Sequence, residues 1–323
     1  FQGGQKWPPF LLVALMLLGN LLDMAKSLVA SLIIVALTMS SPAIAAAPAP
    51  LVLKPTSSWH VNYAEERCRL GRQFGDGKQT VLLFMDRFSP SEYFRLTIAG
   101  KRIQTSVQKG EANIQFGPSE QEQKIAFLAG NLGKEPALIF SSSARVAPPS
   151  GPELLAMKDR ENAERVVIQP ISEDRQKAIR YLRVGKPLQK PLMLETGSMR
   201  GPLAALDTCI DNLLSSWGVD VEKHKTLSQR AKPLQPPGKW IVSSDYPIAM
   251  LAAGQPALVN FRLTVGPDGM PTACHIQATT RPKFFDDAVC KSVMRRARFS
   301  PALDAQGQPL VSYYQNNVYF RLP

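Results

Sequence analysis

Histidine is scarce in this chain of 323 residues. There are 3, at His60, His224 and His275, alongside 4 cysteines at Cys68, Cys209, Cys274 and Cys290. They are too dispersed to form a zinc signature, whose ligands come in closely spaced pairs. A glycine-flanked nucleophilic serine is missing, and so is the glycine-lysine loop that cradles phosphates. These absences argue against an enzyme, and no catalytic, metal-binding or cofactor-binding residue is assigned. Acidic residues are also few: 26 Asp and Glu against 38 Lys and Arg leave a net charge of +12. Such an excess suits nucleic acid, an anionic membrane or an acidic partner. Aromatic residues make up only 8 % and do not interleave with basic ones along any segment, so nucleic acid is not an expected partner.

The length fits about two domains. The chain begins at Phe1 rather than a methionine, which fits a fragment or an overextended start. From Met24, Lys26 gives a positive start, Leu28 to Met39 an apolar core and Ala43-Ile44-Ala45 a small-residue cleavage site. That is the pattern of a secretory signal peptide, placed at 24–47. Upstream, Trp7 to Asp23 is a second apolar run; residues 1–23 read as an extension, with a native membrane anchor as the alternative. Export puts the cysteines in an oxidising compartment. Retention of the upstream run would anchor the protein in a membrane.

Residues 48–150 read as a β-rich domain. In Tyr93–Gly100, Phe94, Leu96 and Ile98 fall on one face and Arg95 and Thr97 on the other, as a half-buried strand requires. Residues 151–220 read as a helical segment packed on it. Ser172 resembles a helix start. Between Pro202 and Trp217, Leu206, Cys209, Ile210, Leu213 and Leu214 form one apolar stripe, with Gly218 as the stop. Ser198 is expected to cap that helix. Asp86 reads as a solvated strand-end residue, and His60, His224 and His275 as surface residues. Residues 221–239, polar, basic and proline-containing, read as a short linker.

Residues 240–323 give the sharpest pattern. Val259, Phe261, Leu263 and Val265 alternate with polar residues, Pro267-Asp268-Gly269 turns the chain, and Thr272–Ala278 returns as a hairpin partner. Phe285, Val289 and Val293 then mark a helix, with Asp286 and Asp287 at its start and Arg295 and Arg296 at its end, a distribution that complements the helix dipole. On the return strand Cys274 and His275 point to opposite faces, so they cannot act on one atom. A helix laid across the hairpin brings Cys290 over Cys274, which predicts a disulfide there and, by elimination, a second between Cys68 and Cys209. Four cysteines allow three pairings in all.

The order of these elements resembles the TonB C-terminal domain family. The resemblance rests on Tyr246-Pro247, the hairpin with Asp268-Gly269, Phe285-Asp286, the corner Phe299-Ser300-Pro301-Ala302, Gly307 and the strand Val318-Tyr319-Phe320. It covers about the last quarter of the chain. It implies an α+β fold, with helices on a small antiparallel sheet, and binding to outer-membrane receptors or other envelope proteins. The chain departs from an energy transducer of this type in two ways: the linker is short, and the apolar segments hold none of the 3 histidines. The expected function is therefore an envelope protein-binding module. The alternative is an anchored transducer that couples to a proton-driven inner-membrane complex and drives transmembrane transport.

The final strand, Val311–Leu322, is the expected partner-binding edge, since no later element covers it. Tyr314, Asn316, Val318 and Phe320 should pack towards Val289 and Val293. Tyr313, Gln315, Asn317, Tyr319 and Arg321 should face solvent or partner. Pairing of this strand with a second copy in a homodimer is the competing expectation.

Overall fold

The computed structural model describes residues 49–140, 144–148, 151, 153, 170–280 and 283–322. The expected extension and signal peptide lie outside them. Ten strands form the first sheet: β1 (Leu51–Leu53), β2 (His60–Ala64), β3 (Arg67–Phe74), β4 (Val81–Arg87), β5 (Arg95–Ala99), β6 (Lys109–Gly117), β7 (Gln123–Leu132), β8 (Glu135–Phe140), β9 (Tyr181–Val184) and β10 (Leu192–Leu194). They run in the order β1-β10-β9-β6-β7-β8-β5-β4-β3-β2. Period-two alternation sets the inner face. Val81, Leu83 and Met85 of β4, Leu96 and Ile98 of β5, and Ile114 and Phe116 of β6 are all buried in one core, around which the sheet curls.

Among the elements described in full, the helices α1 (Glu173–Ala178) and α2 (Arg200–Ser216) accompany this sheet. Ser172 caps α1 by accepting the Arg175 N–H. Leu203, Leu206, Cys209, Ile210, Leu213 and Leu214 form the buried stripe of α2. This helix starts earlier than its apolar pattern suggests, so Met199 holds the cap position and Ser198 does not cap it. A disulfide joins Cys209 to Cys68 on β3, across 141 residues. The described part of 151–220 holds strands as well as helices. Leu182 and Val184 alternate with Tyr181 and Arg183, and that period makes β9, which pairs with both β6 and β10.

The segment expected as a linker is folded. It holds α3 (Val221–Lys225) and β11 (Lys232–Pro233). Beyond it come α4 (Ile248–Ala252), β12 (Ala257–Val265), β13 (Pro271–Thr279), α5 (Phe284–Arg296), β14 (Phe299–Ser300), β15 (Ala302–Leu303), β16 (Pro309–Leu310) and β17 (Ser312–Phe320). β11 pairs with β14, and Ser228 donates to the Asp304 carbonyl at 2.6 Å, so the connection is pinned to the domain that follows it.

β12, β13 and β17 make a three-stranded antiparallel sheet in the order β13-β12-β17. Val259, Phe261, Leu263 and Val265 on one face meet Phe285, Val289 and Val293 of α5, all fully buried or nearly so. Burial of each such side chain stabilises by about 2 kcal/mol. The Cys274–Cys290 disulfide ties the hairpin to that helix. Gly269 is required at the turn. Its φ is 77°, and a Cβ there would lie 2.0 Å from the Phe299 carbonyl oxygen, which belongs to the corner closing over the hairpin.

Candidate functional site

β17 is one of the two edge strands of the small sheet, β13 being the other, and among the described residues no strand pairs with its outer side. Its two faces meet different surroundings. On the α5 side, the Phe320 ring lies 4.9 Å from Phe285 and 5.4 Å from Tyr246. Tyr314 sits 5.5 Å from Trp240 and 5.1 Å from Phe299, and its hydroxyl accepts the Asn316 side-chain amide at 3.0 Å. Val318 joins the same core.

The opposite face is not left to solvent as a whole. Tyr313 stands edge-on to Trp217 at 5.5 Å and stacks on His224 at 6.2 Å. Burial pushes its hydroxyl pKa up. Gln315 donates to the Phe88 carbonyl at 2.7 Å and to Gln277 Oε1 at 3.0 Å. These two residues, expected to face solvent or partner, face the chain's own first sheet and α2 instead. Asn317, Tyr319 and Arg321 are exposed, and the Arg321 guanidinium lies over the Tyr319 ring.

What covers that face is a charge lock between the two sheets. Arg262 of β12 is 1 % exposed. Its guanidinium donates to both oxygens of Glu66, at 2.7 and 3.0 Å, and to Thr264 Oγ1 at 3.1 Å. It also lies 4.0 Å from the Trp217 ring centroid. A bidentate partner and an aromatic face together make burial of this cation tolerable.

His275 extends the lock, with Nδ1 at 3.4 Å from Glu66 Oε1. Its pKa is nevertheless lowered, first by burial and then by Arg262, which already occupies both Glu66 oxygens. His224 is likewise held low by burial; its ring bonds to the Asp220 carbonyl and to Ser312 Oγ. Neither is the plain surface residue its sequence context suggests. Asp86, expected to be solvated, is 2 % exposed and held by Arg69 through bonds of 2.6 and 2.8 Å. The lock was not foreseen. Arg262 reads as a polar strand position, and its partner lies 196 residues away.

A groove borders the outer edge of β17, apolar at its Leu251 end and more polar at its Trp240 end, where Asn316 and Asn317 line it. One cavity of about 380 Å³ is walled by Ile241, Val242, Tyr246, Leu251 and Val318, and a second of about 380 Å³ by Pro237, Trp240, Ile241 and Val318. Ile241 and Val318 line both, so the two form one run along the strand. The wall is held in place by Arg296, which donates to Asp245 Oδ2 at 2.5 Å and to the Trp240 carbonyl at 2.7 Å. The Arg296 bond pulls the Asp245 pKa down to about 2. This edge and groove can take up an extended apolar segment. No reacting group lines them.

Residues 242–322 match the family model described as Gram-negative bacterial TonB protein C-terminal. A comparison of the chain with curated proteins finds no match. Among the described residues no helix is long and apolar enough to cross a membrane, and the paired cysteines fit the oxidising cell envelope in which this family works. The last quarter of the chain is a TonB C-terminal domain.

Proposed function

We propose that the chain is a protein-binding module of the periplasm. Its TonB C-terminal domain receives an extended segment of an outer-membrane receptor, or of another envelope protein, along the outer edge of β17. The observation that carries this reading is the contrast between the two faces beside that strand. The Tyr313–Gln315 side is filled by the chain's own first sheet and α2. The outer edge, with Asn317, Tyr319 and Arg321 exposed, opens onto the groove. Backbone groups of an added strand supply affinity, and alternate side chains entering the groove supply selectivity. The partner surface is then Asn317, Tyr319 and Arg321 with Val242 and Leu251, and it excludes Tyr313 and Gln315. No catalytic step is part of this reading.

The test uses short peptides taken from extended segments of outer-membrane receptors, titrated against isotopically labelled protein. Shifts should centre on the β17 amides and the groove. Leu251→Asp, an exposed change that places a charge in an apolar wall, should weaken binding by about tenfold or more. Shifts confined to residues 51–220, or binding indifferent to Leu251→Asp, would refute the reading. A concentration-dependent dimer joined through β17 would replace it with self-pairing.

A further inference from the structure

Arg69, Asp86 and Arg95 stand side by side across β3, β4 and β5, on the outward face of the first sheet. Arg69 engages both Asp86 oxygens, so that carboxylate is spoken for. Arg95 is left over the Phe88 ring, 5.0 Å from its centroid, with no hydrogen-bond partner among the described residues. Further along β3, the buried Arg67 Nε is also without one. Three guanidinium groups therefore share one carboxylate. Burial lowers the Arg95 pKa, and Arg67 and Arg69 lower it further, against the pull of Asp86. That is the signature of an uncompensated cation.

Arg95 lines a cleft of about 280 Å³ between the two sheets. Asp86, Ser89, Asn260, Gln277 and Asn317 contribute to the remaining polar lining, and the Gln315 amide there is already committed to Phe88 and Gln277. We infer that this cleft is a binding site for a carboxylate carried by a peptide ligand, with Arg95 as its anchor. The planar guanidinium fork matches a carboxylate's two oxygens, and amides and hydroxyls around it donate without adding charge. A phosphate dianion fits less well. It brings a second negative charge towards Asp86, which lines the same cleft. The site does not depend on strand addition at β17, because its anchor belongs to the first sheet.

The probe is N-acetylglutamate methylamide, with its glutamine counterpart and inorganic phosphate as controls, titrated into the whole protein. Expected are saturable shifts of the Arg95 Nε–H and of the Gln277, Gln315 and Asn317 side-chain amides. The glutamine probe should give none, and phosphate should bind more weakly. Arg95→Gln should lower affinity by about tenfold or more, as loss of a charge-assisted pair does. Arg95→Lys keeps the charge without the fork and should fall between the two. Both changes spare the Arg69–Asp86 pair, so an unchanged amide spectrum outside the cleft verifies the fold. Equal binding of both glutamyl and glutaminyl probes, no saturable shift at the highest soluble concentration, or full affinity in Arg95→Gln would overturn the inference. Phosphate binding more tightly would reassign the cleft to phosphoryl ligands. The cleft shares Asn317 with the β17 edge, so the Arg95→Gln variant, which alters only the first sheet, is what separates this outcome from receptor-peptide binding at β17.

Discussion

The two sheets of this protein solve the same burial problem differently. The ten-stranded sheet curls around its own core, closes it with α2 and fastens it by a disulfide spanning 141 residues. The three-stranded sheet is too small to wrap itself. One face takes α5, fastened by a disulfide spanning 16 residues, and the other leans on the first sheet through Arg262 and Glu66. A small domain that borrows its second face from the same chain has little of its sheet left open except its edges. That is why the outer side of β17 carries the functional reading.

The sharpest way to break the comparison is to unfasten the larger part. On the chain-entropy estimate the Cys68–Cys209 link stabilises by roughly 5 kcal/mol and the Cys274–Cys290 link by roughly 3 kcal/mol. Replacing both Cys68 and Cys209 by serine should therefore shift the urea midpoint more than the Cys274/Cys290 double replacement. Equal shifts would mean that loop length is not what distinguishes the two links.

The lock between the sheets comes next. Glu66→Ala leaves the buried Arg262 cation without its carboxylate and should cost about 3–4 kcal/mol. Adding Arg262→Met should restore most of that loss, because the unpaired charge is then gone. If the double variant is no more stable than Glu66→Ala, the charge is not what the pairing manages.

Acid should act more gently, through the histidines at the same boundary. His224 and His275 are both lowered from about 6.5. Above that value neither is charged, folded or unfolded. Below it the unfolded chain binds protons that the folded protein refuses, so stability falls as the pH drops from about 6.5 towards the folded pKa values. His275→Gln with His224→Gln should flatten this part of the stability–pH curve. Asp245 works in the same direction at lower pH. With its pKa held at about 2, it contributes stability above its ordinary carboxylate range, and that is lost only on strong acidification.

Much of this was legible in the residues. The alternation of Phe94, Leu96 and Ile98, the stripe from Leu206 to Leu214 and the turn at Gly269 each carry their structure locally, and all three form. The cysteine pairing was legible too, because a helix crossing a hairpin leaves Cys290 little choice. What escaped was long-range. Nothing near Arg262 announces Glu66, and nothing near Tyr313 announces Trp217 or His224. The period of β17 correctly divides its side chains into two sets, but a strand's period cannot say what covers each face. Residues 221–239 misled for a related reason. Proline and charge suggest a spacer, yet β11 pairs with β14 and Ser228 bonds to Asp304.

The central claim, that β17 offers its outer edge to a partner, is tested most directly by Asn317→Pro. The residue is exposed, and its N–H donates at 2.8 Å to the Asn316 side chain. Proline removes a main-chain donor from the strand. The measurement is the affinity of a receptor-derived peptide for the variant and the unaltered protein, with the thermal midpoint taken on the same samples. Affinity should fall by about tenfold or more with a nearly unchanged midpoint. Undiminished affinity in Asn317→Pro, lost only when residues 51–220 are disrupted, would contradict it.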